Sequence, residues 1–152
     1  MKILVINGPN LNMLGRRDPA QYGTETLDEI SEKLRARANK LGVELAFFQS
    51  NHEGAIIDFL QESAPQADGL IINPGALTHY GLSLRDAVAD SGLMFIEVHL
   101  SDIHSREEFR RHSVLQDLAL KQIAGHRGKG YVMALDTVVD ALVDAQEVNA
   151  GE

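Results

Sequence analysis

Five short apolar runs, separated by polar turns and helix-length stretches, predict a three-layer α/β sandwich built on one parallel sheet. The runs are continuous rather than alternating, as expected of strands buried on both faces. Strands that alternate with helices return to the same sheet through helical crossovers, which makes the pairing parallel.

The strands are expected at Ile3 to Ile6, Val43 to Phe48, Leu70 to Ile72, Met94 to Val98 and Leu120 to Ala124. The clearest helix begins at Thr26, whose hydroxyl can cap the first turn while Glu29 reaches back. Leu27, Ile30, Leu34, Ala38 and Leu41 then share one face, and Gly42 supplies the stop. Further helices are expected from Glu53 to Pro65, from Ser83 to Gly92, and around Tyr131, Leu135, Val138, Val139 and Leu142. Val148 to Glu152 reads as a frayed, disordered tail after a single domain spanning 1–147. These units fit a flavodoxin-like strand order, 2-1-3-4-5.

At 152 residues and 44% hydrophobic content the chain can fill one core. Its formal charge of -8 argues against nucleic acid or an acidic membrane as partner, so an anionic ligand must meet a local basic site. With no cysteine, disulfides, thiolate metal sites and a thiol nucleophile are excluded, and a reducing compartment is expected. The apolar run after Met1 is too short, and too soon ended by Gly8 and Pro9, for a signal peptide or membrane span. That start fits a soluble cytoplasmic protein.

Polar segments, the first three with glycine, follow four of the strands: Asn7 to Asn10, Gln49 to Gly54, Asn73 to Tyr80 and His99 to His104. In a parallel sheet they share the carboxyl edge, where open α/β folds place a ligand crevice. Any one of them alone reads as a turn. Together, with two histidines and an arginine-rich continuation, they favour a site.

The common α/β chemistries do not fit these loops. Gly8 to Gly15 is neither a dinucleotide fingerprint nor a Walker loop, and no Ser sits in a nucleophile elbow. None of the five lysines is placed for a Schiff base. Six histidines raise the question of a metal, but no paired-ligand motif is present, and no metal or organic cofactor is expected. Gly125 to Gly130 could cradle a phosphate at a helix start, although a lone Gly-rich turn is a weak signal.

The loop residues carry a more specific signal. Asn7-Gly8-Pro9-Asn10-Leu11-Asn12 with Leu14-Gly15, Arg17, Pro19 and Tyr22-Gly23 closely resembles the opening of type II 3-dehydroquinate dehydratases. Gln49 to Gly54, Ile72 to Ala76, Ser83 to Ala87 and Glu97 to Ser101 continue the resemblance in order. Arg106-Glu107, Phe109-Arg110 and His112-Ser113 complete it. It covers the chain from Lys2 to about Leu142.

The resemblance implies a cofactor-free lyase of the shikimate pathway that converts 3-dehydroquinate to 3-dehydroshikimate by anti elimination through an enolate. It also implies a homo-oligomer, a dodecamer of four trimers. Such a reaction needs a base for a weakly acidic proton beside a ketone, a stabilised enolate and an acid for the departing hydroxyl. By resemblance Tyr22 is the base. A free phenol has a pKa of about 10, so a cation is needed beside it, and Arg17 is expected in that role. The plain alternatives are an aromatic lid and a solvated charge.

His99 is expected as the acid, with Glu97, two residues back on the same strand face, orienting it. Asn10 would hold the enolate oxygen. Asn73 and the main-chain amides of Leu100 and Ser101 would take the substrate carboxylate. His79 and Arg110 would meet ring hydroxyls, with Asp86 reaching in from a neighbouring subunit. The polar, glycine-flanked segment from Gly15 to Gly23 would form a lid.

Three departures stand out. The family often has Asn where this chain has Asp102, Thr where it has Arg16, and a less basic stretch around Ala124 to Arg127. A charge at Asp102 is expected to lie near the carboxylate nest and weaken binding. Two competing readings remain on sequence grounds: a flavodoxin-like binding module, in which Tyr22 and His99 are dispensable, and a metal-dependent hydrolase, which a chelator would silence.

Overall fold

The computed structural model describes all residues from Met1 to Glu152. Its elements run β1 (Lys2–Asn7), α1 (Pro19–Tyr22), α2 (Leu27–Leu41), β2 (Glu44–Gln49), α3 (Glu53–Ser63), β3 (Gly69–Asn73), α4 (Leu82–Ser91), β4 (Met94–His99), β5 (Lys121–Ala124) and α5 (Lys129–Ala150). The strands pair in parallel throughout. Their order is β2-β1-β3-β4-β5, as the sequence predicts.

Alternation along the strands divides the core into two layers. Ile3, Val5, Ile71, Ile96 and Val98 pack with residues of α2 and α5. Leu4, Ile6, Leu70, Ile72 and Phe95 pack with residues of α3 and α4. Helix α2 forms for the reason its sequence gives. Thr26 Oγ1 accepts the Glu29 N–H at 3.1 Å, the Glu29 carboxylate accepts the Thr26 N–H at 3.3 Å, and Gly42 follows the helix at φ 70°.

Two expectations change. β2, expected to be buried, is only partly so because it forms a sheet edge. Its aromatic side chains are covered locally: the Arg35 guanidinium lies 4.6 Å over the Phe47 ring, and Phe48 stacks on Phe59 at 4.4 Å. The tail expected from Val148 continues α5 through Ala150. Ala145, Gln146 and Glu147 are strong helix formers and carry the helix past its last core contact.

No helix is long and apolar enough to cross a membrane.

The loops after β1 and β3 press together backbone to backbone. Gly8 N–H donates to the Asn73 carbonyl at 2.8 Å. A Cβ on Gly8 would lie 2.3 Å from the Pro74 carbonyl oxygen, and one on Gly75 (φ 59°) would lie 2.8 Å from that of Pro9. Neither neighbour is a side chain that can swing away.

Gly8→Ala should therefore lower stability by about 2 kcal/mol or more. Gly54→Ala, in a helix with open space around the new methyl, should raise it by about 0.5 kcal/mol. Urea denaturation midpoints of the two variants, side by side, check both signs.

Candidate active site

The carboxyl ends of β1, β3 and β4 open onto one cavity of about 110 Å³. Asn10, Arg17, Tyr22, Asn73, His79, His99, Leu100, Ser101 and Arg110 all line it, as does Arg106. Of the remaining expected residues, Glu97 lies fully buried behind His99, and Asp86 sits exposed on α4, outside this chain's cavity.

The floor of the site is a buried polar junction. Tyr131, at the start of α5, donates its hydroxyl to Asn7 Oδ1 at 2.6 Å and accepts from Asn73 Nδ2 at 3.0 Å. Burial pushes this phenol well above its ordinary range, and the Asn73 hydrogen bond only partly offsets that, so Tyr131 remains a donor. Asn73 Oδ1 accepts from Gly75 N–H at 3.1 Å, and its amide has a second hydrogen for the cavity. Asn10 adopts the left-handed region (φ 69°) and is tied down by its N–H, which donates to Asn51 Oδ1 at 2.9 Å.

The segment expected as a lid carries a one-turn helix, α1. Asp18 caps it by accepting from Ala20 N–H at 3.0 Å, and Gly23 (φ 75°) ends it. This turn holds Tyr22 between two arginines. The Arg17 guanidinium lies 3.8 Å from the Tyr22 ring centroid, over the face. The group that reaches the phenolic oxygen is Arg106, whose Nη1 donates to it at 2.9 Å. Two guanidiniums thus flank the Tyr22 side chain, one over the ring face and one at the oxygen.

On β4, His99 is 5% exposed and Glu97 fully buried. His99 Nε2 lies 3.4 Å from Glu97 Oε1, within reach of an ion pair when the imidazole is protonated but without the alignment of a hydrogen bond. Burial raises the Glu97 carboxyl. The His99 imidazole, with hydrogen bonds from Ser113 and Gln122, outweighs burial and holds it below the usual carboxylate range. Ser113 is carried on the segment after β4, which Arg85 secures by donating to the Val114 carbonyl at 2.6 Å and to Asp117 Oδ2 at 2.9 Å.

His79 Nδ1 lies 2.7 Å from the His112 carbonyl. A carbonyl only accepts, so Nδ1 carries the hydrogen. Burial pushes this imidazole below its ordinary value; the carbonyl opposes that and the nearby His99 and Arg110 add to it. The backbone around Leu100 and Ser101 is held from outside: Arg127 N–H donates to the Leu100 carbonyl at 3.0 Å and Gly125 N–H to the Ser101 carbonyl at 3.1 Å. The basic Gly125 to Gly130 turn thus supports the loop expected to bind a carboxylate. Asp102 lies outside the main cavity, and its side chain accepts from His104 N–H at 3.2 Å to start a short turn.

Arg106, Tyr131, Ser113 and Gln122 are the residues that sequence reasoning left without a role. Arg106 and Ser113 stand inside quoted motifs. Tyr131 shows itself only as an apolar helix position, although a buried phenol always needs a partner. Nothing in the apolar run of β5 marks Gln122. His104 Nε2 lies 2.8 Å from Gln122 Oε1, while His99 faces Glu97.

Comparison with known proteins identifies the family to which the chain belongs. The 3-dehydroquinate dehydratase of Roseiflexus castenholzii is 60% identical over 136 residues, 90% of this chain and 87% of that protein. The crystal structure of a type II dehydroquinase from Butyrivibrio crossotus superposes with a TM-score of 0.88 at 48% identity, covering 91% of this chain and 97% of that one. A type II dehydroquinase structure from Propionibacterium acnes gives 0.86 at 39%, covering 90% and 94%. With the family model for class II dehydroquinases matching residues 1–139, the chain belongs to the class II dehydroquinase family.

Proposed function

We propose that this cavity dehydrates 3-dehydroquinate to 3-dehydroshikimate, a step of the shikimate pathway, by anti elimination through an enolate. One observation carries the reading: Tyr22, with Arg106 at its oxygen, shares a small cavity with His99, which is backed by the buried Glu97.

Tyr22, as phenolate, takes the proton from the carbon beside the ketone. The C–H electron pair becomes the enolate, whose oxygen Asn10 holds directly or through water. Collapse of the enolate breaks the carbon–oxygen bond, and His99 gives its proton to the departing hydroxyl, which leaves as water. Atoms balance as substrate minus one water. Tyr22 then loses, and His99 regains, one proton through solvent.

The guanidiniums of Arg17 and Arg106 stabilise negative charge on the Tyr22 oxygen before the first step. Glu97 stabilises the cationic form of His99 before the second. Asn73 and the amides of Leu100 and Ser101 form the carboxylate nest, while His79 and Arg110 meet ring hydroxyls. Three arginines gather at a cavity of a chain with charge -8, which meets the need for a local basic site. The segment 15–23 closes over bound substrate in this reading.

The chain would work as a homo-oligomer, a dodecamer of four trimers, in which Asp86 serves a neighbouring site. Its support is exposed apolar surface: Tyr80, Leu82 and Phe109 are 64%, 63% and 65% exposed. A sizing measurement should return an assembly; a fully active monomer would remove Asp86 from the site.

Ultraviolet absorbance, which rises when a conjugated enone forms, should climb on adding the protein to 3-dehydroquinate in excess chelator. Tyr22→Phe should be slower by about 10²–10⁴-fold, and Arg106→Leu, which removes one charge-assisted hydrogen bond, by about 10–100-fold. No rise with the unsubstituted chain would favour a binding module. A rise that Tyr22→Phe leaves intact would remove Tyr22 as the base.

Because the folded Glu97 carboxyl is held below its unfolded value, its contribution to stability is fully present above the unfolded value. It is lost as pH falls through the folded one. In Glu97→Gln, that part of the acid dependence should be missing from urea midpoints measured between about pH 6 and pH 3.

A further inference from the structure

We propose that Gln122 is a positioning residue for the acid step, clamping the buried Glu97 carboxylate behind His99 and itself held in orientation by His104. The inference rests on the assignment of His99 as the acid.

Glu97 and Gln122 are register partners on the adjacent parallel strands β4 and β5, so their side chains rise on the same sheet face. Gln122 Nε2 donates to Glu97 Oε2 at 2.6 Å, and Ser113 Oγ donates to Glu97 Oε1. A carboxylate only accepts, so the Gln122 NH₂ must face it and the Gln122 oxygen must face away. That oxygen lies 2.8 Å from His104 Nε2, which must then carry a hydrogen. The result is one directed chain, from exposed His104 through half-buried Gln122 to Glu97 and His99.

Glu97 has no exposure, and no arginine or lysine pairs with it; His99 is the one ionic partner, at 3.4 Å. Two neutral donors therefore carry much of the work of keeping its charge at a position closed to solvent. Without the Gln122 donor, Oε2 is left bare and the carboxyl takes up a proton more readily. A neutral Glu97 no longer favours the cationic His99 that must deliver a proton. His79, from the loop after β3, interacts with both members of the pair and with Arg110 from the loop after β4. Gln122 lines no part of the main cavity, so it acts through Glu97 and not on substrate.

The test is the pH titration of the Glu97 side-chain carboxyl, followed by carbon-13 NMR in the ligand-free full chain. It requires no activity, so failure of the dehydratase reading and failure of this inference are separate results. In Gln122→Leu the midpoint should rise by about one pH unit. His104→Ala should raise it less and in the same direction.

In the rate assay, Gln122→Leu should move the acid limb of kcat, where Glu97 itself takes up a proton, to higher pH while KM stays within about twofold, a split that general loosening of the strand would not produce. An unchanged Glu97 midpoint in Gln122→Leu overturns the proposal. If that variant does not fold, an unchanged midpoint in His104→Ala does so.

Discussion

Parallel pairing of β1 with β3, in a register that sets Asn7 beside Asn73, is the constraint on which the site depends. It ends both strands at one level, so the loops that follow leave together and pack backbone against backbone through Gly8 and Gly75. Two buried amides at such a point are costly unless they are paired. Tyr131 from α5 joins them, donating to one and accepting from the other. The same hydroxyl therefore ties helix to sheet and sets the floor of the cavity.

A second theme is the management of charge. The chain is acidic overall, yet Arg17, Arg106 and Arg110 converge on a small cavity whose lining includes Tyr22 and His99. The one carboxylate buried beneath that site, Glu97, is placed against His99 and given two neutral donors rather than an arginine. An arginine there would bind Glu97 more tightly, but would compete with His99 for its charge. Neutral donors keep the carboxylate ionised and leave its field for the imidazole.

The site is also braced from outside its own lining. The turn containing Gly125 and Arg127 donates to the carbonyls of Leu100 and Ser101. Each of those peptide groups then presents its opposite end, the next residue's N–H, away from the turn. Arg85 fastens the segment that brings Ser113 to Glu97. These supports lie far in sequence from the groups they hold, and they act through hydrogen bonds that composition does not advertise.

Local rules were legible in the chain because their causes are local. The cap at Thr26, the stop at Gly42 and the parallel strand pattern depend on neighbours a few residues apart, and nine expected site residues line one cavity because they follow strands that end at one edge. By itself the sequence determined the fold class and nine of the residues that line the cavity. Only the tertiary structure decided which arginine reaches the Tyr22 oxygen, that Tyr131 joins β1 to β3, and that Gln122 stands across from Glu97. Those are contacts between residues 84, 58 and 25 positions apart. Their partners are selected by strand order and register, which no local pattern encodes.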